Sequence, residues 1–428
     1  MHDPVTAPAL SKGLNLRLSL MMFLQYAIWG AWLPILYPYL LNHLKFTDGE
    51  TGNVFAVGAI GAIVGPFLAG QIADRYLATE KLLGLCHLVG AGLMYILVGA
   101  SDYSTWLWVS LAYGVVYGPT LALTNSLALA HVPSRDRDFG RVRVWGTVGW
   151  IAVGIGVGQW LLARHTPLGT ETQIKLSQEA GRVDAFYLAM FLGGLLGLYS
   201  WTLPHTPPSP GEKNNATAKA FGETLKQPLL VLFLISIAVS VIHQMYFVFT
   251  ADFLSAYGRD AASSINKIFG VGGGGLMTIG QMSEVMVLAF VIPFLAQRLS
   301  RKSLLAMGLA AYAGRMALFA FTDSMPSVLL GVALHGLCFG SFVFVAFMVV
   351  DEETSRDVRA SAQNLYNLVF IGVGVGLGSL VAGRLGSWAK VDGDLDHRKL
   401  FAAIFYAALA CLAAHLLFYR GGRRTTSE

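Results

Sequence analysis

The sequence predicts an all-α integral membrane protein of twelve transmembrane helices, in two six-helix halves around a central cavity. Three observations predict it. Apolar segments of spanning length recur along almost the whole chain, basic residues gather in alternate loops, and one acid, Glu284, sits inside an apolar segment. Of the 428 residues 55% are hydrophobic and 13% charged, where an ordinary soluble domain carries about 25% charged residues. The 48 glycines suit close helix packing in lipid.

A spanning helix needs about 20 mostly apolar residues. Segments of that kind lie at 16–41, 52–73, 80–100, 105–130, 143–163, 184–203, 228–255, 272–297, 302–321, 326–350, 360–385 and 398–419. The weakest is 272–297, which opens with Gly272-Gly273-Gly274-Gly275. The residues before Asn15 are polar and proline-bearing, and the first apolar segment lacks a small-residue cleavage pattern, so it is expected to stay as helix 1.

Lysine and arginine set the orientation. With the N-terminus inside, the inner loops hold Arg75, Lys81, Arg135, Arg137, Arg141, Lys213, Arg301, Arg356 and Arg359, and the tail adds Arg420, Arg423 and Arg424. Both termini are therefore expected in the cytoplasm. The net charge of +5 follows from these loops, and no nucleic-acid partner is expected. The partner is the lipid bilayer.

The inner stretch 204–227 is hydrophilic and carries Pro204, Pro207, Pro208 and Pro210. It divides the chain into an N-terminal half, 1–203, and a C-terminal half, 228–428. Two six-helix repeats around a midplane site is the major facilitator fold. Gly70-Gln71-Ile72-Ala73-Asp74-Arg75, between helices 2 and 3, resembles that superfamily's Gly-x-x-x-Asp-Arg loop.

An ionisable residue in hydrocarbon costs several kcal/mol, about 2.5–3.5 on insertion scales, and normally faces a polar path. On helix 8, Gln281 and Glu284 share one face at i, i+3. The amide can donate and accept, and the acid can take up or release a proton. On helix 5, Arg143, Thr147 and Trp150 form one stripe at i, i+4, i+7. Arg143 there either contacts a ligand or snorkels to the interface. Helix 1 carries Gln25 and Trp29, helix 7 His243, Gln244, Tyr246 and Phe247, and helix 10 His335 and Phe339. Taken singly, such residues serve helix packing. Together they suit a ligand with a flat ring and several hydroxyls. Arg315 lies inside helix 9 and either pairs with an acid or snorkels; His87 on helix 3 reads as a packed polar residue.

Cys86, Cys338 and Cys411 fall in three separate apolar segments, which gives neither metal-ligand spacing nor a disulfide framework. No metal or other cofactor is expected. The chain contains no Gly-x-Ser-x-Gly and no metal-protease helix motif, so an enzyme is not expected.

Several segments resemble the nucleoside:proton symporter family of the major facilitator superfamily. They are Phe23-Leu24-Gln25-Tyr26-Ala27-Ile28-Trp29-Gly30 on helix 1, Arg143-Val144-Trp145-Gly146-Thr147-Val148-Gly149 on helix 5, Gln281-Met282-Ser283-Glu284 on helix 8, Arg315-Met316-Ala317-Leu318-Phe319 on helix 9 and Arg359-Ala360-Ser361-Ala362-Gln363 before helix 11. The resemblance implies import of nucleosides with protons across the bacterial inner (plasma) membrane by a monomer. It implies that Arg143, Thr147, Gln244, Gln281 and Glu284 line the substrate site. Gln25, Trp29, Trp150, His335 and Phe339 complete the expected lining, with Glu284 and His335 as the proton-coupling pair. Two positions depart from the family. Gly340 stands where the family commonly has an acid on helix 10, and Phe247 where helix 7 has an asparagine. Two readings of the missing acid stay open. Glu284 with His335 does the coupling, or the chain is an uncoupled facilitator or a major facilitator carrier of a sugar or other polar solute.

Overall fold

The computed structural model describes residues 9–134, 138–208, 216–257, 264–355 and 358–421. The inner-loop cations Arg135, Arg137, Lys213, Arg356, Arg423 and Arg424 lie outside the described residues, as do the side chains of Gly70–Arg75, expected as a loop but helical in its backbone, and of Arg359.

The chain is all-helical apart from a two-residue hairpin that pairs Lys390–Val391 with Asp394–Leu395 among the described residues. In order, the long helices are α1 (Lys12–His43), α2 (Asp48–Arg75), α3 (Thr79–Gly99), α4 (Tyr103–His131), α5 (Gly140–Arg164) and α6 (Glu171–Ser200). They continue as α7 (Leu229–Tyr257), α8 (Gly274–Ala296), α9 (Arg301–Phe321), α10 (Met325–Glu353), α11 (Ser361–Ala389) and α12 (His397–Phe418). Among the described residues eleven of these are long and apolar enough to cross a membrane. The other, α2, has 28 residues, or about 42 Å at 1.5 Å per residue.

Local chemistry starts the helices where the apolar pattern requires. Ser11, Asp102, Ser300, Ser324 and Asp396 each accept a hydrogen bond from the backbone N–H three residues on, which satisfies an orphan donor at the helix end. The glycine run before α8 is a turn rather than helix. Gly270, Gly272 and Gly273 have φ of +76°, +85° and +81°, a region costly for side chains with a Cβ. Helix therefore begins at Gly274, two residues later than the hydropathy suggests. Wide π turns interrupt α8 at Val287–Val291, α10 at Phe339–Phe344 and α11 at Leu368–Gly374. That in α8 ends just before Pro293, which has no backbone N–H to give.

Small residues set the close approaches. A Cβ on Gly61 of α2 would fall 2.3 Å from the Gly114 backbone of α4, and one on Gly149 of α5 would fall 2.2 Å from the Phe23 carbonyl of α1. The early and late helices meet where α5 packs on α8, with Gly154 against Thr278, and where α2 packs on α11, with Gly52 against Ser379. Polar groups reinforce the same end of the bundle. Lys390 Nζ lies 2.6 Å from Asp48 Oδ2, and Tyr37 donates to Asp48 at 3.2 Å. Asn42 donates to Asp252 at 3.0 Å, and His397 Nε2 lies 3.2 Å from Asp252 Oδ2.

Replacing Gly149 by leucine should drive α1 and α5 apart and cost about 1–3 kcal/mol, the usual penalty of overpacking. Thermal unfolding of the purified variant in detergent checks this, with an unchanged midpoint as the contrary result.

Candidate functional site

The polar side chains predicted on α8 and α10 come together. A Cβ on Gly336 of α10 would fall 2.5 Å from the Ser283 backbone of α8, so the two helices touch one residue from each functional group. Across that contact His335 Nε2 stands 3.7 Å from Glu284 Oε2, beyond hydrogen-bond length. The Glu284 side chain is 17% exposed, against 2% for His335. Gln281, one turn earlier, is buried and its Oε1 has no hydrogen-bond partner among the described residues. An acceptor in that state costs free energy until something donates to it.

On the facing wall, the Arg143 guanidinium lies over the Tyr26 ring at 4.1 Å and within Coulombic reach of Glu284. Arg143 is half-buried, with its guanidinium held on the Tyr26 ring. Thr147 is half-buried one turn along the same helix. Aromatic rings then run from wall to wall. Trp29 meets Trp150 edge-on at 5.6 Å, Trp150 meets Phe247 at 6.1 Å, and Phe247 meets His335 at 5.9 Å. Edge-to-face pairs of this kind add about 0.5–1.5 kcal/mol each beyond area burial. Phe247 therefore links α7 to both walls. Phe339 is half-buried one turn beyond His335, at the start of the π turn.

Two of the expected lining amides are already occupied. Gln25 donates to Thr120 at 2.8 Å, accepts from His87 Nε2 at 2.8 Å, and its carbonyl accepts from Tyr117 at 2.8 Å. It clasps α1 to α3 and α4, and it accounts for His87. Gln244 donates to Ser379 of α11 at 3.2 Å. Gly340 does not leave a hole in the polar group, because a Cβ there would meet Val287 at 2.8 Å and Ile292 at 3.3 Å, both on α8.

Sequence reasoning left Arg315 without a partner and did not single out Tyr26. Arg315 is fully buried and donates to His335 Nδ1 at 3.0 Å, between the faces of Tyr246 at 4.1 Å and Tyr312 at 5.0 Å. The signal for Tyr26 was its place beside Gln25 on α1, where an aromatic face can receive a cation from α5. Among the described residues no group of three or more His, Cys, Asp or Glu side chains could hold a metal.

The profile of the nucleoside H+ symporter family matches residues 12–424. The chain belongs to this family. It is 30% identical to the xanthosine permease of Escherichia coli K12 over 421 residues, 94% of this chain and 95% of the permease. It is 27% identical to the nucleoside permease NupG of the same organism over 404 residues, 91% of each chain. The crystal structure of NupG superposes with a TM-score of 0.80 at 26% identity, covering 95% of this chain and 100% of NupG. The symporter is thus a multi-pass membrane protein of a family of nucleoside transporters, with proton coupling as the family's mode.

Replacing Gln25 by alanine leaves Thr120 and His87 without their buried partner, at about 1–3 kcal/mol for each unsatisfied group. The variant should unfold at clearly lower temperature than the wild type, as followed by intrinsic fluorescence. An unchanged midpoint would mean that the clasp contributes nothing.

Proposed function

We propose that the symporter imports nucleosides through a site between the Arg143–Thr147–Trp150 stripe and the Gln281–Glu284–His335 group. The observation that carries this reading is the presence of an unsatisfied acceptor, Gln281 Oε1, one turn from a half-buried acid, Glu284. Trp29, Trp150 and Phe339 offer flat faces to a base. Gln281, Thr147 and Arg143 offer hydrogen bonds to the base and the sugar, while Gln244, held by Ser379, lies behind them. Gln25 holds α1 in place behind that wall. Glu284, with His335 beside it, is the proton-linked pair, and Gly340 supplies no acid.

Twelve spans form two halves, 1–203 and 228–428, joined by 204–227, and these rock about the site to give alternating access. The excess of Lys and Arg in alternate loops supports cytoplasmic termini in a bacterial inner membrane. In that orientation the Asp48 and Asp252 contacts lie on the outer side, and the structure is closed there. The role is transport without catalysis.

Uptake of radiolabelled uridine and adenosine into proteoliposomes tests the reading. An inward proton gradient should stimulate uptake, and excess disaccharide should not compete. Glu284→Gln should reduce gradient-driven uptake about tenfold or more, the equivalent of one charge-assisted hydrogen bond. Gradient-independent uptake would identify a facilitator. No uptake of either nucleoside would move the assignment to another solute.

A further inference from the structure

Arg315 is a buried cation whose described polar partner is an imidazole. A guanidinium has only donors, so the 3.0 Å contact from Arg315 requires His335 Nδ1 to accept. A neutral imidazole that accepts at Nδ1 carries its proton on Nε2, and Nε2 is the atom that faces Glu284.

The surroundings hold this arrangement. Tyr246 and Tyr312 confine the guanidinium with their ring faces. Tyr312 is itself tied through its hydroxyl to His243 Nδ1 at 2.8 Å. The His335 ring is stacked between His243, at 5.4 Å, and Tyr246, at 5.1 Å. The charged and titratable groups around His335 are thus Arg315 and Tyr312 from α9, His243 and Tyr246 from α7, Glu284 from α8 and Cys338 on its own helix. A second proton on Nδ1 would set N–H against N–H at the Arg315 contact and place an imidazolium beside a guanidinium with no acid between them.

We propose that Arg315 is a positioning residue of the transport site: it fixes His335 as an Nε2–H donor toward Glu284, so that Glu284 alone carries the transported proton. This rests on the reading of Glu284 as the transport acid. It divides the expected Glu284–His335 pair into one titrating member and one fixed donor. The 3.7 Å between the two groups then has a chemical use. A sugar hydroxyl oxygen, with two lone pairs, can accept from His335 Nε2–H and from protonated Glu284 together, so that substrate and proton are held at one place.

The test is 15N spectroscopy of histidine-labelled protein in lipid nanodiscs, with the His335 signals assigned by their loss in His335→Gln. The wild type should show His335 protonated on Nε2 only at pH 6–8. In Arg315→Met the Nδ1–H form should appear, and in Arg315→Lys, which keeps a donor, the wild-type form should largely persist. In proteoliposomes Arg315→Met should lower gradient-driven uridine uptake about tenfold, the loss of one charged hydrogen bond, and alter its pH profile. An Nδ1–H form or an imidazolium in the wild type at pH 6 overturns the proposal, and that spectrum decides even if Arg315→Met does not fold. An unchanged pH profile in a folded Arg315→Met also overturns it. Absence of uridine uptake by the wild type, with the Nε2–H form intact, overturns the nucleoside reading and leaves the Arg315–His335 assignment standing.

Discussion

Arg315 is fully buried, and the bond it makes to His335 links α9 to α10 at the level where α10 touches α8. A guanidinium away from water is costly unless it is paired or otherwise compensated. Here two tyrosine faces and one imidazole nitrogen provide part of the compensation, while Nε and Nη2 have no hydrogen-bond partner among the described residues. The consequence reaches Glu284, because the same imidazole turns its other nitrogen to that acid. Aromatic rings from α7 pack around it, and Phe247 carries the contact on to Trp150 and the opposite wall. The site therefore stands on one buried cation.

The membrane frame was legible in the sequence because bilayer thickness imposes it. A run of about 20 apolar residues has few alternatives to a helix, since every backbone polar group must be satisfied within it. The segment 302–321 became α9, Arg301–Phe321, within one residue at its start. The end effects were less legible. Gly272 and Gly273 looked like the start of a span on hydropathy alone, yet their left-handed φ makes them part of the turn into α8. The π turn in α8 has Pro293 beside it as a mark, while those in α10 and α11 contain no proline.

The site was legible to the extent that its chemistry was costly. Glu284 and Gln281 stand out on an apolar helix; Glu284 Oε2 lies 3.7 Å from His335 Nε2, and Gln281 Oε1 has no hydrogen-bond partner among the described residues. Gln25 and Gln244 have the same composition signal but spend amide groups on neighbouring helices, and only the three-dimensional arrangement separates the two uses. Arg315 was visible as an oddity, while its partner lay 20 residues away on another helix. Gly340 stands where an acid is common in the family. Its surroundings are Val287 and Ile292, so helix packing has taken the place that an acidic side chain would need.

The central claim is that Glu284 takes up the transported proton although α10 supplies no acid. Current recording from proteoliposomes on a solid-supported membrane, without any imposed proton gradient, tests it directly. Addition of uridine should drive positive charge inward in the wild type and give no current in Glu284→Gln. A current of wild-type size in Glu284→Gln, or uridine entry into wild-type vesicles without charge movement, would contradict the account.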